Sequence, residues 1–509
     1  MTDGSGDGAP SRRSTREATT RTERSGLGAL IAKHPTAWLS GALAVAFLLL
    51  GTGAVYAGAT SGSAQPPTAA ATSGKGGDDA EASAEPTPTV EPPRPVPDPV
   101  PAASRLRTCS IAALASDPRL AQFQGYVLNS ATGEVLFDRG GGTPARTGSV
   151  LKILTAAAAV SALGPGYQLS TKVYRSAPGT LVLVGGGDAT LSRLAPGQES
   201  FYRGAPKLAD LASGALAQWK QKYPDEPITQ LVLDASYWNP ADKWDPAWKR
   251  TEQTIGYHSE VTALQVDGDR ADPSRSTSPR STDPIGRAGG YFLEALRAAD
   301  DAGLVSGNVA VSQAALGGGG EQLAEVKSQP VSALVNQMLL VSDNTIAEML
   351  ARVTSRVMGF DGSAASLQQA IPKALEPFGV DPAGMTIKDG SGLSEFNAVS
   401  PAWVSQFMVK VIAGVNSLGV VYDGLPVAGQ KGSLASRFTG GNAVARGAVI
   451  AKTGWIDTAY SLAGVVNARD GSRLTFAFYA IGNVSDNAKA ALDTLTTGVF
   501  SCGDNLSNS

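Results

Sequence analysis

The chain is poor in the residues that most enzyme classes rely on. Its 509 residues include two cysteines and two histidines, and only 17% are charged. Cys109, Cys502, His34 and His258 lie far apart, so a closed site of four nitrogen or sulfur ligands is not expected, and neither is a metal or any other cofactor. Acids and bases nearly balance, at a net charge of −3. The basic face that nucleic-acid binding requires is therefore missing. The glycine run Gly185-Gly-Gly-Asp188 is not followed by Gly-Lys-Ser/Thr, which argues against a phosphate loop. His258 falls in an irregular, Trp- and Tyr-rich stretch and reads as a structural histidine rather than a general base. No internal repeats are apparent.

The amino-terminal third is mostly not core. Residues 1–34 are polar, and Arg12, Arg13, Arg16, Arg21, Arg24 and Lys33 outnumber four acids. Trp38 to Tyr56 then runs without a charge and is long enough to span a bilayer. The basic flank precedes it, so the positive-inside rule places residues 1–34 in the cytoplasm and the rest outside. The expectation is a cytoplasmic tail (1–34), a transmembrane signal-anchor (35–59) and a catalytic part held outside the cell membrane. The alternative is a signal peptide cleaved near Ala57-Gly-Ala59, with secretion. Residues 60–103, rich in Ala, Ser, Thr and Pro, cannot bury a core and read as a disordered tether. Cys109 and Cys502 stand at opposite ends of what remains. In an oxidising compartment they could pair; the other reading is two separate buried thiols.

Within the folded part, alternating segments at 124–129 and 134–138 predict a hairpin, and apolar segments at 448–454, 459–467 and 474–481 predict three further strands. Helical patterns fill 330–341, 345–357, 363–377 and 401–415, and residues 486–499 close the chain as a helix. Early and late strands thus bracket a helical middle, which implies an α+β fold. Residues 268–286 look like a mobile connection. Roughly 150 residues between 171 and 327 have the length of a second, inserted domain. The predicted division is 104–170 with 328–504 as the catalytic domain, 171–327 as the insertion and 505–509 as a tail.

Ser149 and Lys152 stand three apart at the start of an apolar helical run. That spacing puts a hydroxyl and an amine on one face of the first turn, where burial and the helix dipole disfavour the ammonium. A serine beside a base is an activated nucleophile. The plain alternative is a capping serine with a lysine reaching for solvent. Ser342-Asp343-Asn344 lies between two helical segments, and Lys452-Thr453-Gly454 in a strand-like run. Alone, the first is a helix cap and the second an exposed strand residue before a turn. A second Ser-Asp-Asn, at 485–487, is fully explained as a cap on the last helix. The order Ser-x-x-Lys, Ser-Asp-Asn, Lys-Thr-Gly is what carries specificity, because serine β-lactamases and penicillin-binding proteins share it.

From about Cys109 to Cys502 the chain resembles the class C low-molecular-mass penicillin-binding proteins, the D-Ala-D-Ala carboxypeptidase/endopeptidases of peptidase family S13. The likeness also rests on Leu183-Val-Gly-Gly-Gly-Asp188, Leu340-Val-Ser-Asp-Asn-Thr-Ile-Ala-Glu348, Asp389-Gly-Ser-Gly-Leu393 and Leu425-Pro-Val-Ala-Gly429, and on the long gap between Ser149 and Ser342. It implies a penicillin-binding, β-lactamase-like transpeptidase fold: an antiparallel sheet with helices, plus an inserted domain. The short 265–290 connection departs from larger members, which carry a further nested domain. Trp455, where the family usually has a small or hydroxylated residue, is a second departure.

The resemblance implies a serine D-Ala-D-Ala carboxypeptidase working through an acyl-enzyme on peptidoglycan stem peptides, with DD-endopeptidase activity as an extension and β-lactam antibiotics as ligands. Ser149 would attack, Lys152 would take its proton, and the Ser149 and Trp455 N–H groups would hold the oxyanion. Ser342 would relay a proton to the leaving group, Asn344 would orient Lys152 and the substrate amide, and Lys452 with Thr453 would bind the terminal carboxylate. Gly454 would allow close backbone approach. The alternative is a catalytically weak wall-binding or β-lactam-sensing protein. The expected partners are stem peptides, β-lactams and, through the anchor, the cytoplasmic membrane.

Overall fold

The computed structural model describes residues 106–508. The expected cytoplasmic tail, the 35–59 span and the 60–103 tether lie outside the described residues. Among the described residues, no helix is long and apolar enough to cross a membrane.

Strand β1 (Cys109–Ser110) is followed by the hairpin β2 (Gln122–Asn129) and β3 (Val135–Arg139). Helix α1 (Lys152–Leu163) comes next. The inserted segment supplies β4 (Ser170–Ala177), β5 (Thr180–Gly185), α2 (Leu208–Lys222), β6 (Ile228–Asp234), α3 (Pro284–Ala299), β7 (Val305–Gln313) and β8 (Glu321–Lys327). The chain then returns through α4 (Val331–Val341), α5 (Asn344–Val357), α6 (Leu367–Leu375), α7 (Pro401–Ile412) and α8 (Gly419–Asp423). It ends with β9 (Val449–Ile456), β10 (Ala459–Asn467), β11 (Arg473–Ile481), α9 (Asn487–Cys502) and β12 (Leu506–Ser507).

Strands β9, β10 and β11 form an antiparallel meander with β10 in the centre. The β2–β3 hairpin flanks β11, where Ser130 N–H donates to the Arg473 carbonyl at 3.0 Å. The first and last strands therefore meet, as expected. Side chains of a strand alternate between faces, and here both faces are covered. Leu462 and Val466 join a core with Phe476, Phe478 and Leu495 of α9, whereas Ala463 and Val465 face a core built on α1, α5 and α7. Burial on both sides explains why β10 reads as an almost unbroken apolar run. In α1 every residue from Lys152 to Val160 is buried, so the helix runs through the interior and not along a surface.

The inserted segment forms a five-stranded mixed sheet in the order β7-β6-β5-β4-β8. The β4–β5 and β4–β8 pairs are antiparallel; β5–β6 and β6–β7 are parallel. It has its own core of Leu181, Leu183, Leu211, Trp219, Leu231 and Phe292. The mobile connection expected at 268–286 is instead partly interior: Arg270 is 1% exposed and Arg280 is buried. Polar composition suggested a loop, but buried ion pairs hold this one. Residues 485–487 also differ from expectation. Asp486 makes no side-chain cap on α9 and instead accepts the Tyr460 hydroxyl and, at 3.0 Å, Lys489 Nζ.

Cys109 and Cys502 form a disulfide across 393 positions. The same join is sealed by the parallel pairing of β1 with β12. A cross-link over so long a loop removes much unfolded-chain freedom, typically about 2–5 kcal/mol. Cys502→Ser is expected to lower the thermal midpoint of the full chain, and so is reduction of the wild type. Identical melting curves for the oxidised and reduced wild-type protein would show that the bridge contributes nothing.

Candidate active site

Ser149 sits in a 3₁₀ turn, Gly148–Leu151, which leads into α1 at Lys152. The nucleophile candidate is therefore one turn before the α-helix and not within it. The three-residue spacing still aligns the pair: Lys152 Nζ lies 2.9 Å from Ser149 Oγ. The amine is 0% exposed and also donates to Asn344 Oδ1 and to the Ser391 carbonyl, both at 2.7 Å. Burial pushes Lys152 down to about 8, against the opposing pull of Asp389, Glu348 and Asp343. A lysine in that range supplies a neutral amine near neutral pH.

Ser342 ends α4 in the left-handed conformation, at φ 61°. This break turns the chain so that Ser342 Oγ accepts from Lys452 Nζ at 2.8 Å. Asp343 caps α5 by accepting the Ile346 N–H at 2.9 Å, which is the capping role its sequence position suggests. Lys452 is also 0% exposed. Burial and the neighbouring charge of Lys152 push it well below its ordinary range. Thr453 Oγ1 lies 2.8 Å from Ser433 Oγ, a partner that nothing in the sequence pointed to.

Gly454 is where strand and nucleophile meet. A Cβ there would lie 2.1 Å from Ser461 Oγ, 2.5 Å from the Thr147 carbonyl and 3.0 Å from the Ser149 nitrogen. The close approach that requires glycine is thus made by the turn carrying Ser149. Trp455 follows, with its ring 45% exposed, and its nitrogen would lie 2.9 Å from a Cβ on Gly148. The backbone nitrogens of Ser149 and Trp455 therefore both lie where the strand meets the turn that carries the hydroxyl. The bulk of Trp455 points outward, 6.4 Å from the Tyr460 ring. Ser149, Ser342, Asn344, Thr453, Gly454 and Trp455 line one cleft of about 600 Å³. Lys152 and Lys452 are buried against its two serines.

Two fully buried lysines, each bonded to a serine, and two backbone nitrogens at the turn carrying one of those serines make a site for acyl transfer to a hydroxyl. A family model described as the D-Ala-D-Ala carboxypeptidase 3 (S13) family matches residues 107–279 and 270–499. The chain belongs to this family. Among its relatives, carboxypeptidase DacB of Mycolicibacterium smegmatis is 33% identical over 403 residues, covering 77% of this chain and 84% of that protein. A D-alanyl-D-alanine carboxypeptidase of an Actinomadura species is 28% identical, covering 73% and 80%. Penicillin binding protein 4 of Haemophilus influenzae has a crystal structure that superimposes with a TM-score of 0.62 at 20% identity, over 77% of this chain and 98% of that one. That likeness establishes the penicillin-binding-protein fold.

The S13 motif Asp389-Gly-Ser-Gly-Leu393 supplies what the sequence left as a turn. Asp389 accepts from the Gly392 and Ser394 N–H groups and from Trp248 Nε1, at 2.6–2.9 Å. Glu348 accepts from the Gly390 and Ser391 N–H groups at 3.0 and 2.7 Å. These bonds aim the Ser391 carbonyl at Lys152. Burial pushes both carboxyls up; at Glu348 the charge of Asp389 adds to it, whereas at Asp389 hydrogen bonds from Trp248, Ser394 and Gly392 oppose it. Gly392, at φ +83°, passes so close to the nucleophile turn that a Cβ would overlap the Gly148 carbonyl at 2.0 Å. His258 is buried against Trp248, with ring centroids 4.5 Å apart. Burial, followed by the charges of Arg280 and Lys152, pushes it down to about 3, which fits the structural reading.

The largest omission from the sequence reading is Arg270. It leaves the inserted segment and donates to Asp343 Oδ2 at 2.9 Å, with both side chains almost fully buried. Its guanidinium lies 4.5 Å from the centroids of the Phe201 and Tyr202 rings. Burial alone would push the Asp343 carboxyl up; Arg270, the Ile346 N–H and Arg280 together outweigh this and hold it below its usual range. Asp269, two residues after Asp267, shares its left-handed backbone, at φ 58° and 52°. Arg287 at 2.7 Å and the Ser281 N–H at 2.6 Å hold Asp269 in place. No local motif announces Arg270; only the fold joins it to a residue 73 positions away. Removing one partner of a buried pair strands a charge, at about 3–5 kcal/mol. Arg270→Met is expected to lose stability on that scale and to slow modification of Ser149 even where the protein remains folded. Wild-type melting together with a wild-type rate of modification would exclude this role.

Proposed function

We propose that the chain is a serine D-alanyl-D-alanine carboxypeptidase that acts on peptidoglycan stem peptides through an acyl-enzyme and also opens cross-links as a DD-endopeptidase. The observation that carries this is the sealed Lys152 amine, 2.9 Å from Ser149 Oγ, with a second sealed lysine on Ser342. Neutral Lys152 takes the Ser149 proton as the oxygen attacks the penultimate D-Ala carbonyl. The Ser149 and Trp455 N–H groups receive the developing oxyanion, each worth roughly 3 kcal/mol in comparable sites. Ser342 passes a proton to the departing nitrogen. Asn344 fixes Lys152 and faces the substrate amide. Lys452, Thr453 and Ser433 take the terminal carboxylate, whose negative charge favours the ammonium form of Lys452 that burial opposes. Water then releases the acyl group. No step calls for a metal or a cofactor.

The names of the relatives agree with this reading. A second structure of the Haemophilus influenzae protein is complexed with a β-lactam, and β-lactams are the expected covalent ligands here. The reading extends to residues 35–59 as a single-pass anchor, 60–103 as a tether and an extracytoplasmic catalytic domain of 104–170 with 328–504, interrupted by a 171–327 insertion. It rests there on the uncharged run and its basic flank.

Mass spectrometry after exposure to fluorescent penicillin is expected to show one adduct on the wild type and none on Ser149→Ala. Lys152→Met should slow acylation about 10²–10⁴-fold, as loss of a general base does. An unlabelled wild type, or equal labelling of Ser149→Ala, would refute the nucleophile assignment. Release of D-Ala from a pentapeptide then separates an enzyme from a sensor. Because Lys152 must be neutral to accept a proton and titrates at about 8, the acylation rate should climb as pH rises through about 8. A rate independent of pH from about 6 to about 10, roughly two units either side of that value, would assign the base elsewhere.

A further inference from the structure

A groove of about 930 Å³ lies beside the catalytic cleft, between α4, α8 and the 199–205 stretch of the inserted segment. Nothing in the carboxypeptidase chemistry above uses it. Val341 lines both hollows, and this apolar side chain is 43% exposed. The groove therefore adjoins the cleft at Val341, and its side of the site can be read from the neighbouring residues. Asn344 donates to the Tyr257 carbonyl at 3.4 Å, so Tyr257 marks the acyl side. Val341 lies toward the leaving side: a Cβ on Gly432, next to the Ser433 that pairs with Thr453, would lie 2.5 Å from the carbonyl of the adjoining Leu340.

A departing D-Ala ends at its carboxylate and has no atoms to place beyond Val341. Only a leaving group that continues past that carboxylate can reach the groove. The volume is in the range that holds a ligand of several residues, about 300–1,000 Å³. The walls suit a peptide bearing both charges. Arg203 is exposed and makes no hydrogen bond or ion pair among the described residues. The Asn336 amide is likewise without a partner among the described residues. Asp423, also exposed, supplies a carboxylate, whereas Glu199 is occupied by the Gly204 N–H at 2.7 Å.

We propose that this groove is the subsite for the departing stem peptide of a cross-linked peptidoglycan dimer, with Arg203 on a stem carboxylate and Asn336 on its backbone. This rests on the acyl-enzyme reading above. The Ser149 Oγ–carbon bond forms as the cross-linking amide C–N bond breaks. The hydroxyl proton goes to Lys152 and a proton reaches the departing nitrogen by way of Ser342, so the stem leaves as a free amine. One water then cleaves the ester and restores Ser149. Each cross-link consumes one water, and nothing is oxidised or reduced.

The test compares the full chain with Arg203→Glu and Asn336→Trp, the second chosen to fill the groove. Three readouts are taken: D-Ala release from a monomeric pentapeptide, cleavage of a cross-linked muropeptide dimer, and acylation by fluorescent penicillin. Both variants are expected to lose at least about tenfold in kcat/KM on the dimer, equivalent to 1.4 kcal/mol, mainly through KM. Pentapeptide hydrolysis and penicillin acylation should stay within about twofold, which also shows that the variants fold. Unchanged dimer cleavage in both variants would overturn the assignment, as would an equal fall on both substrates. A wild type that is acylated but leaves the dimer intact would overturn it too, with the acyl-enzyme reading still standing. A wild type that penicillin does not acylate would overturn that reading first, and the groove assignment with it.

Discussion

An amine sealed from water must be given every partner by the protein, and the site is built around that requirement at Lys152. Its three acceptors come from three places: the 3₁₀ turn (Ser149), the start of α5 (Asn344) and the Asp389–Leu393 turn (Ser391). No segment of local structure could supply all three, so α1 has to pass through the interior, where these elements converge. The cost of burial is partly offset by the nearby carboxylates of Asp389 and Glu348, which stay buried because backbone N–H groups occupy them. Lys452, also buried, feels the charge of Lys152, so its ammonium form waits for a negatively charged partner such as the substrate carboxylate.

The same economy applies to the backbone. Gly454 and Gly392 both approach the turn carrying Ser149 at distances no side chain would allow. Ser461 on the central strand donates to the Thr147 carbonyl at 2.5 Å and fixes the turn from behind. The nitrogens of Ser149 and Trp455 owe their relative position to these contacts, not to the identity of residue 455. That is why a tryptophan can stand at this position. The strand sets where its N–H points, and the half-exposed ring borders the cleft.

Elements whose partners are close in sequence, or whose burial is continuous, were legible in the chain: the hairpin β2–β3, the three late strands and the motif-bearing helices. The fold class followed from strands at both ends. What escaped was decided by partners far along the chain. Strand β8, Glu-Gln-Leu-Ala-Glu-Val-Lys, has a single fully buried residue, Leu323, and depends on pairing with β4. Residues 268–286 read as mobile because they are polar, yet Arg270 is locked by Asp343 and two aromatic rings. Asp486 looked like a helix cap, but the Tyr460 hydroxyl claims it. At the site, residue identities followed from motif order. The supporting carboxylates Glu348 and Asp389 gave no chemical signal of their own, because their role is to orient a carbonyl.

The insertion between the first and second motifs acquires a physical purpose from these contacts. It has a hydrophobic core of its own, yet Tyr202, Trp238, Trp248 and Val261 also pack into the core built on α1, α5 and α7, so it bears on the chemistry through the residues it lends to that core. One group, Arg270 with Tyr202, grips the aspartate between Ser342 and Asn344. Neighbouring residues of the same segment, 199–205, form a wall of the groove beyond Val341. The proton relay and the space for a departing strand are thus shaped by one element. A device that only stiffened the Ser-Asp-Asn loop would not need an open wall beside it. A wall alone would not need a buried ion pair at its root. Tyr202 joins the two, touching Asp343 at 3.3 Å and lining the groove, an arrangement that suits a large leaving group because the Ser342–Asn344 turn stays fixed while a bulky peptide moves past it.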